Sequence, residues 1–582
     1  MFVTPSAQAF SFWPFGGDGI DYSITFDGAD PEMQAWFTEL NLDKKADTNP
    51  PQNLEELDTE ASVLADRVKK ALAAKGYMEA VAEPKVDKEA KPPAVHIVIE
   101  RGVRYRLTSI AIAWPGEPLV ALDKASLRSK EGQPVDMQTI EIDGVALHDM
   151  IGKDTCLLSL SVTPKLQLYS VSRTARAVFA IDHGPAANFG APTIEGNKTV
   201  KDTVIHRAVA WKEGDCYKDA KVEATRTTLI ENQLFATVEV THADTPDPKG
   251  EVPMTIAVKE RANRSIGAGV EYSTDLGTGV YTNWEHRNLF GDAEKLTTSL
   301  KLAQRQQALK GLLRVPAFLR DDQVLVLSSS LKRENLDAYE ALTFEGNAGV
   351  ERRLNKNLKA GLGVGYTLSQ TKDVLTGTNN YALLSLPGFV EYDSRNNVMD
   401  PRSGVLGRLS ATPYTETIGD GGQFLKMLAT GQSYLSNDDI LFKPTFASRL
   451  SMGAIYGAKG DNVPADIRYY AGGGGSVRGY SYQSLSPYFR GDPIGGSSLI
   501  ETSGELRLRF TEEIGGVAFV DAGNAYASST PDFSETLYVG AGTGVRYYSP
   551  IGPLRFDVAF PLNGKDIGED GYQIYVSLGQ AF

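Results

Sequence analysis

The chain has 582 residues, 42% of them hydrophobic, and a formal net charge of −14. That length exceeds one ordinary domain, and the acidic balance does not suit a nucleic-acid partner. No apolar run approaches the roughly 18 residues of a membrane-spanning helix, whereas a β-barrel crosses with alternating strands of about 10 residues. A mean hydropathy of −0.24, with 57 glycines, 23 Phe and 25 Tyr, is compatible with such a barrel.

At the start, Ala7-Gln8-Ala9 has the small residues of a signal-peptidase site. The charged and apolar regions that precede such a site are missing. The expectation is a signal-peptide remnant or N-terminal segment over 1–19, with a mature chain beginning near Phe10.

Next, a pattern recurs with a period of roughly 80 residues. Ala94–Glu100, Ala177–Asp182 and Val252–Val258 each alternate and run into a charged turn. In the first repeat Leu57, Ala61, Leu64, Val68 and Leu72 form one apolar stripe of a helix, and Gly76 stands where a C-terminal cap belongs. The second repeat is weaker: its helix carries Val145, Leu147 and Ile151, and its strands cover Leu157–Leu168 and Arg173–Asp182. The third places Val222, Leu229 and Ile230 on a helix, then Phe235 and Val238 on a strand. Each repeat reads as strand, helices, two strands. The expected boundaries are 20–101, 102–185 and 186–262. Such a module leaves a sheet edge open to an extended peptide, the alternative being an inert α+β spacer. Cys156 and Cys216 fall in different modules, and both a disulfide and two separate buried thiols are open.

From 263 to 582 helical spacing gives way to alternating segments, enough for about 16 antiparallel strands. In the last strand Tyr572, Ile574, Val576, Leu578, Gln580 and Phe582 share one face. In the strand before it Leu554, Phe556, Val558 and Phe560 oppose Arg555 and Asp557. The apolar set is expected to meet lipid and the other a watery lumen.

The longest stretch without strand pattern lies between Tyr456 and Ser498 and holds Gly472–Gly475 and Val477-Arg478-Gly479-Tyr480. A phosphate loop would need Lys followed by Ser or Thr, then a helix; Ser476-Val477-Arg478 does not supply it. A guanidinium folded into a barrel must meet carboxylates, because a desolvated charge without a partner is costly. Glu505 and Asp521 alternate out of phase with Leu506 and Val520, so both are expected to point inward. An exposed loop with an ordinary arginine is the plainer alternative.

Four phrases now stand in order: Tyr392-Asp393-Ser394-Arg395…Asp400-Pro401…Gly404; Gly475–Tyr480; Phe519–Asn524; and Gly542–Tyr547 running into Ser549–Asp557. They resemble the motifs of the superfamily that includes BamA, the two-partner-secretion transporters and TamA. Gly495-Gly496, followed by Glu505, and Phe519 with Asp521 resemble the strand motifs that the loop arginine engages in that family. Three modules resemble the TamA family more than its sister families. The resemblance implies α+β POTRA modules followed by a 16-stranded antiparallel transmembrane β-barrel in the bacterial outer membrane, the modules being periplasmic.

The resemblance also implies an assembly factor for autotransporters and other β-barrel clients. It would meet unfolded clients and outer-membrane lipid, with a TamB-like periplasm-spanning partner and no nucleic acid. Its lateral seam would join the first and last strands, with Gly267, Gly269, Gly579 and Phe582 as candidate residues, because glycine weakens strand interiors. A two-partner-secretion-type pore exporting one dedicated client is the alternative. No catalytic, cofactor-binding or metal residues are expected: the six histidines are scattered without metal spacing.

Overall fold

A computed structural model describes residues 20–44, 51–273, 277–418, 422–458, 462–549, 552–563, 571–578 and 580–582. The expected cleavage site therefore lies outside the described residues, as does Gly579. The chain divides into two compact units: 1–193 with 210–224 and 241–255, and 194–209 with 225–240 and 256–582.

In the first module β1 (Ser23–Asp27), α1 (Pro31–Glu39), α2 (Leu54–Ala74), β2 (Val81–Asp87) and β3 (Ala94–Glu100) form a sheet of order β1-β3-β2 with its helices. Helix α2 starts where the Asn53 side chain accepts from the N–H groups of Glu55 and Glu56, while the Glu56 carboxylate accepts from the Gln52 N–H. Its five-residue stripe is wholly buried. It ends on Gly76, at φ +94°, where the N–H groups of Gly76 and Tyr77 donate to Ala73 O and Leu72 O.

The second module has β4 (Arg106–Ala113), a single 3-10 turn at Lys124–Ser126, α3 (Met137–Asp154), β5 (Leu160–Tyr169) and β6 (Thr174–His183), in sheet order β4-β6-β5. One of its two expected helices is thus reduced to a turn, which explains why the repeat is faint here. Ile140, Gly144, Leu147 and Ile151 make the buried face of α3. Val145 was expected on that face and is 64% exposed, because it lies about 100° around the helix from Gly144.

The third module has β7 (Asn188–Glu195), α4 (Asp202–Ala208), α5 (Asp219–Glu231), β8 (Phe235–His242) and β9 (Glu251–Glu260), in sheet order β7-β9-β8. Leu229, Phe235 and Val238 are buried, but Ile230 is 47% exposed; a helix turns too far between neighbours to bury both 229 and 230.

Within the first unit, Cys156 and Cys216 form a disulfide with Cα atoms 5.1 Å apart, which resolves the open question in favour of pairing. Beside it the Lys218 ammonium donates to Gly152 O, Lys153 O and Thr155 O at 2.7, 2.7 and 2.8 Å. It caps carbonyls that the end of α3 leaves unsatisfied. The bridge closes a loop of 60 residues, for which chain entropy gives about 4 kcal/mol. Replacing both cysteines with serine is expected to lower the unfolding temperature of the periplasmic modules. Reductant should do the same to the parent and nothing further to the variant, read by thermal melts monitored at Trp114 and Trp211.

In the second unit, residues 194–209 are tied to Glu260 and to the connection between the second and third barrel strands. The Glu260 carboxylate accepts from the N–H groups of Lys198, Thr199 and Val200 at 2.6, 2.7 and 2.8 Å and from the Thr199 hydroxyl at 2.6 Å. Burial pushes this carboxyl up, but those donors outweigh it and hold it below the usual range. Lys201 pairs with Asp292; the Lys201 hydrogen bond holds Asp292 low, and the same bond raises Lys201. Depressed carboxylates give stability that is complete above their unfolded values, about 4, and lost as pH falls through the folded ones. The raised lysine contributes fully below about 10.4 and loses its contribution as pH rises further. The protection factors of residues 194–209 against hydrogen exchange, taken relative to the intrinsic rate at each pH, should therefore stay level from about pH 5 to 9 and fall below about pH 4.

Antiparallel strands from Arg264–Ser273 to Gln573–Leu578 close into a barrel. Of its seventeen paired segments, Gly377–Ser385 and Gly388–Asp393 both pair with Leu358–Asp373 and with Gly404–Ile418. They are halves of one strand interrupted at Pro387, which has no N–H to give a ladder. The barrel therefore has sixteen strands. Leu554, Phe556 and Phe560 face outward and Arg555 and Asp557 are buried, as alternation requires.

Closure is uneven. The first strand pairs with its successor over ten residues, Arg264 opposite His286 through Ser273 opposite Gly277. With the last strand, among the described residues, it pairs only at Tyr272–Val576 and Ser273–Tyr575. Gly267 and Gly269 lie in the first strand but outside those pairs. Gln580 and Phe582 do not face lipid and do not join the seam, contrary to the alternation. Gln580 bonds to Arg546 and Asp400, and Phe582 lies against Arg507 and Arg449. Strand parity governs facing only while the strand continues, and the strand ends at Leu578.

Candidate functional site

The strands Thr445–Tyr456 and Ser498–Arg509 are neighbours joined by the long segment singled out in the sequence. Instead of extending into solvent, its described part is packed inside the barrel. Val477, Tyr480, Leu485 and Ala471 are fully buried in one cluster with Ile455, Leu499 and Ala525 of the wall.

Arg478 is 2% exposed. Its Nε and Nη2 donate to the two oxygens of Asp521 at 2.6 and 2.9 Å, a two-point grip, and its backbone N–H donates to the same carboxylate at 3.1 Å. Nη1 forms an ion pair with Glu505 at 2.7 Å, not aligned as a hydrogen bond, and bonds to Asp557 at 3.2 Å. The guanidinium carbon lies 3.4 Å from the centre of the Phe519 ring, a cation over a π face. Glu505 is shared with Arg507 at 2.8 Å, and Asp557 with Arg546. Each carboxylate side chain here is fully shielded from solvent, so the cluster persists only because every charge is paired.

The neighbours of Arg478 let the loop meet the wall. Gly479 has φ +99°, and a Cβ there would stand 2.8 Å from the Phe560 carbonyl carbon. On the wall, a Cβ at Gly540 would overlap the Arg478 carbonyl. Tyr480 donates its hydroxyl within 2.7 Å of Asn563 O and 2.9 Å of Val539 O. The Gly479 N–H donates to the Tyr575 hydroxyl at 3.2 Å. The loop thus touches the last strand beside the short seam.

A second anchor holds the loop to another part of the wall. Arg468 pairs with Asp373 at 3.2 Å, both buried, and donates to Val463 O and Ile494 O. Asp466 accepts from Thr343 and Ser369 at 2.7 and 2.9 Å, and Lys426 donates to Ile467 O at 2.6 Å. The loop braces the lumen from the strand Leu358–Asp373 to the strands Ser498–Arg509 and Gly552–Pro561.

Residues 288–582 match the Omp85 superfamily domain. This chain belongs to the Omp85 superfamily. Residues 187–261 match a POTRA domain, the surface antigen variable number repeat. The outer membrane protein assembly factor BamA of Nitratidesulfovibrio vulgaris is 24% identical over 528 residues, covering 87% of this chain and 66% of the relative. That of Neisseria meningitidis serogroup B is 22% identical over 570 residues, covering 84% and 68%. The chain thus spans about two thirds of the length of these relatives. Among solved structures, BamA from Haemophilus ducreyi lacking POTRA domains 1-3 shares the fold, with a TM-score of 0.67 at 20% identity, over 81% of this chain and 99% of that one. As an Omp85 protein the chain is a bacterial outer-membrane β-barrel with periplasmic POTRA modules.

In this Omp85 barrel Val477, Arg478, Gly479, Tyr480, Glu505, Phe519 and Asp521 come together. Sequence reasoning missed Asp557 and Ser503 as partners of Arg478, although the alternation of Leu554–Phe556 already turned Asp557 inward. It also missed Asp400, in the turn of the first motif, which pairs with Arg509 at 2.8 Å. Nothing in the local pattern marked Arg468 and Asp373.

Proposed function

We propose that this chain assists the insertion of unfolded β-barrel strands into the outer membrane. The observation that carries the reading is the seam: among the described residues two residue pairs close the barrel, where other strands share ladders several times longer. The first strand consequently offers most of its edge, and an edge with unpaired N–H and C=O groups is a template for an incoming strand. The loop bound by Arg478 braces the opposite flank, so the wall can stay intact while the seam parts. No covalent chemistry belongs to this reading.

The finer assignment is a TamA-type factor serving autotransporters, with a TamB-like partner docking on the first module. Its support is the run of three modules, each with its own three-stranded sheet. Reconstitution tests the general reading: liposomes carrying the protein should insert a urea-unfolded barrel client at least several times faster than empty liposomes. Equal rates would remove it. Co-purification from outer membranes tests the finer one, through recovery or absence of a periplasm-spanning partner.

A further inference from the structure

Halfway round the barrel from the seam, four neighbouring strands carry glycine or proline side by side. They are Glu340–Arg353, Leu358–Asp373, the interrupted strand 377–393 and Gly404–Ile418. Gly349 stands opposite Gly363. A Cβ at Gly363 would lie 2.9 Å from Ala348 O, and one at Gly349 would lie 3.1 Å from Leu362 O, so the two backbones come this close only as glycines. The Gly363 N–H donates to Pro387 O at 2.9 Å, and the Leu386 N–H donates to Pro413 O at 3.1 Å. Neither proline has an N–H to return. The ladders of the interrupted strand break off at Ser385 and resume at Gly388. Toward its other end the same strand shifts register between Ala382 and Leu383, an irregularity that bends a strand and weakens its pairing.

The line through Gly349, Gly363, Pro387 and Pro413 divides these strands into inner and outer halves. The first strand leaves the periplasmic modules at Arg264, so the turns at 336–339 and 374–376 lie at the opposite, cell-surface end. On these strands the second anchor of the loop lies wholly on the outer side of the line. Arg468 pairs with Asp373, and Asp466 accepts from Thr343 and Ser369. Leu383 and Tyr414 pack with Val463, Ile467 and Tyr469 of the loop. At the outer turn, Ala465 and Tyr470 pack with Leu336 and Tyr339. On the inner side the same strands are joined to one another, with Glu391 pairing with both Lys359 and Arg408. Two absent donors and two positions without side chains leave little to oppose bending along the line, whereas the ladders on either side of it are paired.

We infer that the outer halves of these four strands form a flap at the mouth of the barrel, hinged on the glycine–proline line and held shut by the loop through Arg468 and Asp466. Release of that anchor swings the flap and widens the outer mouth, while the inner halves keep their ladders. The motion needs no parting of the seam and does not rest on the insertion reading. A fixed corner in the wall would use the same glycines and prolines for curvature alone. The two differ in whether the outer halves move when the loop lets go.

Distances between spin labels on the full chain in outer membranes decide between them. Thr378→Cys with Ala527→Cys spans the outer mouth, and Lys356→Cys with Glu512→Cys spans the inner end; all four positions are exposed. Cys156 and Cys216 are paired with each other and take no label. Arg468→Ala with Asp373→Asn releases the anchor without stranding a buried charge, the barrel being confirmed by its heat-dependent mobility. Asp466→Ala is a milder release, since the Thr343 and Ser369 hydroxyls stay bonded to each other at 3.0 Å. In either released variant the outer distance distribution should be about twice as broad as in the parent, with the inner one unchanged. Adding Pro387→Thr and Pro413→Val, which restores two donors to the ladders, should return the outer distribution to the parent width. An outer distribution that stays narrow in both released variants overturns the flap. So does an equal broadening of the inner pair, which would mean a general loosening of the barrel, or a broadening that the proline replacements leave untouched.

Discussion

Arg478→Ala is expected to abolish most assembly activity while the barrel still forms. The loss is not shared equally among the carboxylates. Glu505 keeps Arg507 and Asp557 keeps Arg546, whereas Asp521 keeps the Ser503 hydroxyl, 2.5 Å away, and loses its cation. Removing one member of a buried pair costs about 3–5 kcal/mol, because a desolvated charge is stranded. The loop would detach from the wall, and its residues 462–497 would become open to protease added outside the cell. Arg478→Lys should rescue little, since an ammonium cannot make the two-point contact with Asp521. Arg478→Ala with Asp521→Asn should be milder than the sum of the single changes by about 1 kcal/mol or more, as the stranded charge is gone. Full activity and an undisturbed loop in Arg478→Ala would remove the anchor from the mechanism.

A covalent bond across the seam is expected to have an effect of comparable size. Tyr272 and Val576 are in register and both outward-facing, so Tyr272→Cys with Val576→Cys places the bond where opening begins. The pair belongs in a background with Cys156→Ser and Cys216→Ser, so that reductant acts on one bond only. The oxidised protein should insert clients at a tenth of the reduced rate or less, and reductant should restore it. A cross-linked barrel inserting at the normal rate would contradict lateral opening and leave a role confined to the periplasmic modules or the surrounding bilayer. The register decides the choice of residues: Gly267, with Ile266 and Ala268 beside it, lies well outside the two seam pairs, and Gly579 is outside the described residues.

Much of this architecture was legible in neighbouring residues alone. The stripe from Leu57 to Leu72 specified a helix because a 3.6-residue period places those side chains on one face. Alternation around Glu505, Asp521 and Asp557 specified which side chains point inward, because a strand has a period of two. Four motifs in order were sufficient to suggest the family that the comparisons establish. The faint middle repeat was faint for a reason: one of its helices is a single turn.

Other features depended on where distant segments came to rest. Cys156 and Cys216 pair because Lys218 and its neighbours dock on the end of α3, 60 residues back along the chain. Arg468 meets Asp373 across the lumen, and no local period relates them. Asp557 was visibly inward, yet its share in binding Arg478 depends on how deeply the loop is seated, which the packing of Val477 and Tyr480 decides. Phe582 carried the residue type of a lipid-facing strand end and lies in the lumen instead. What the sequence by itself determined was the period of each element and hence the face of each side chain, since both are set by backbone geometry between neighbours. Only the tertiary structure decided which inward charges meet and which strand edge stays free, because burying a charge or leaving an edge open is settled by the whole set of segments competing for the same partners.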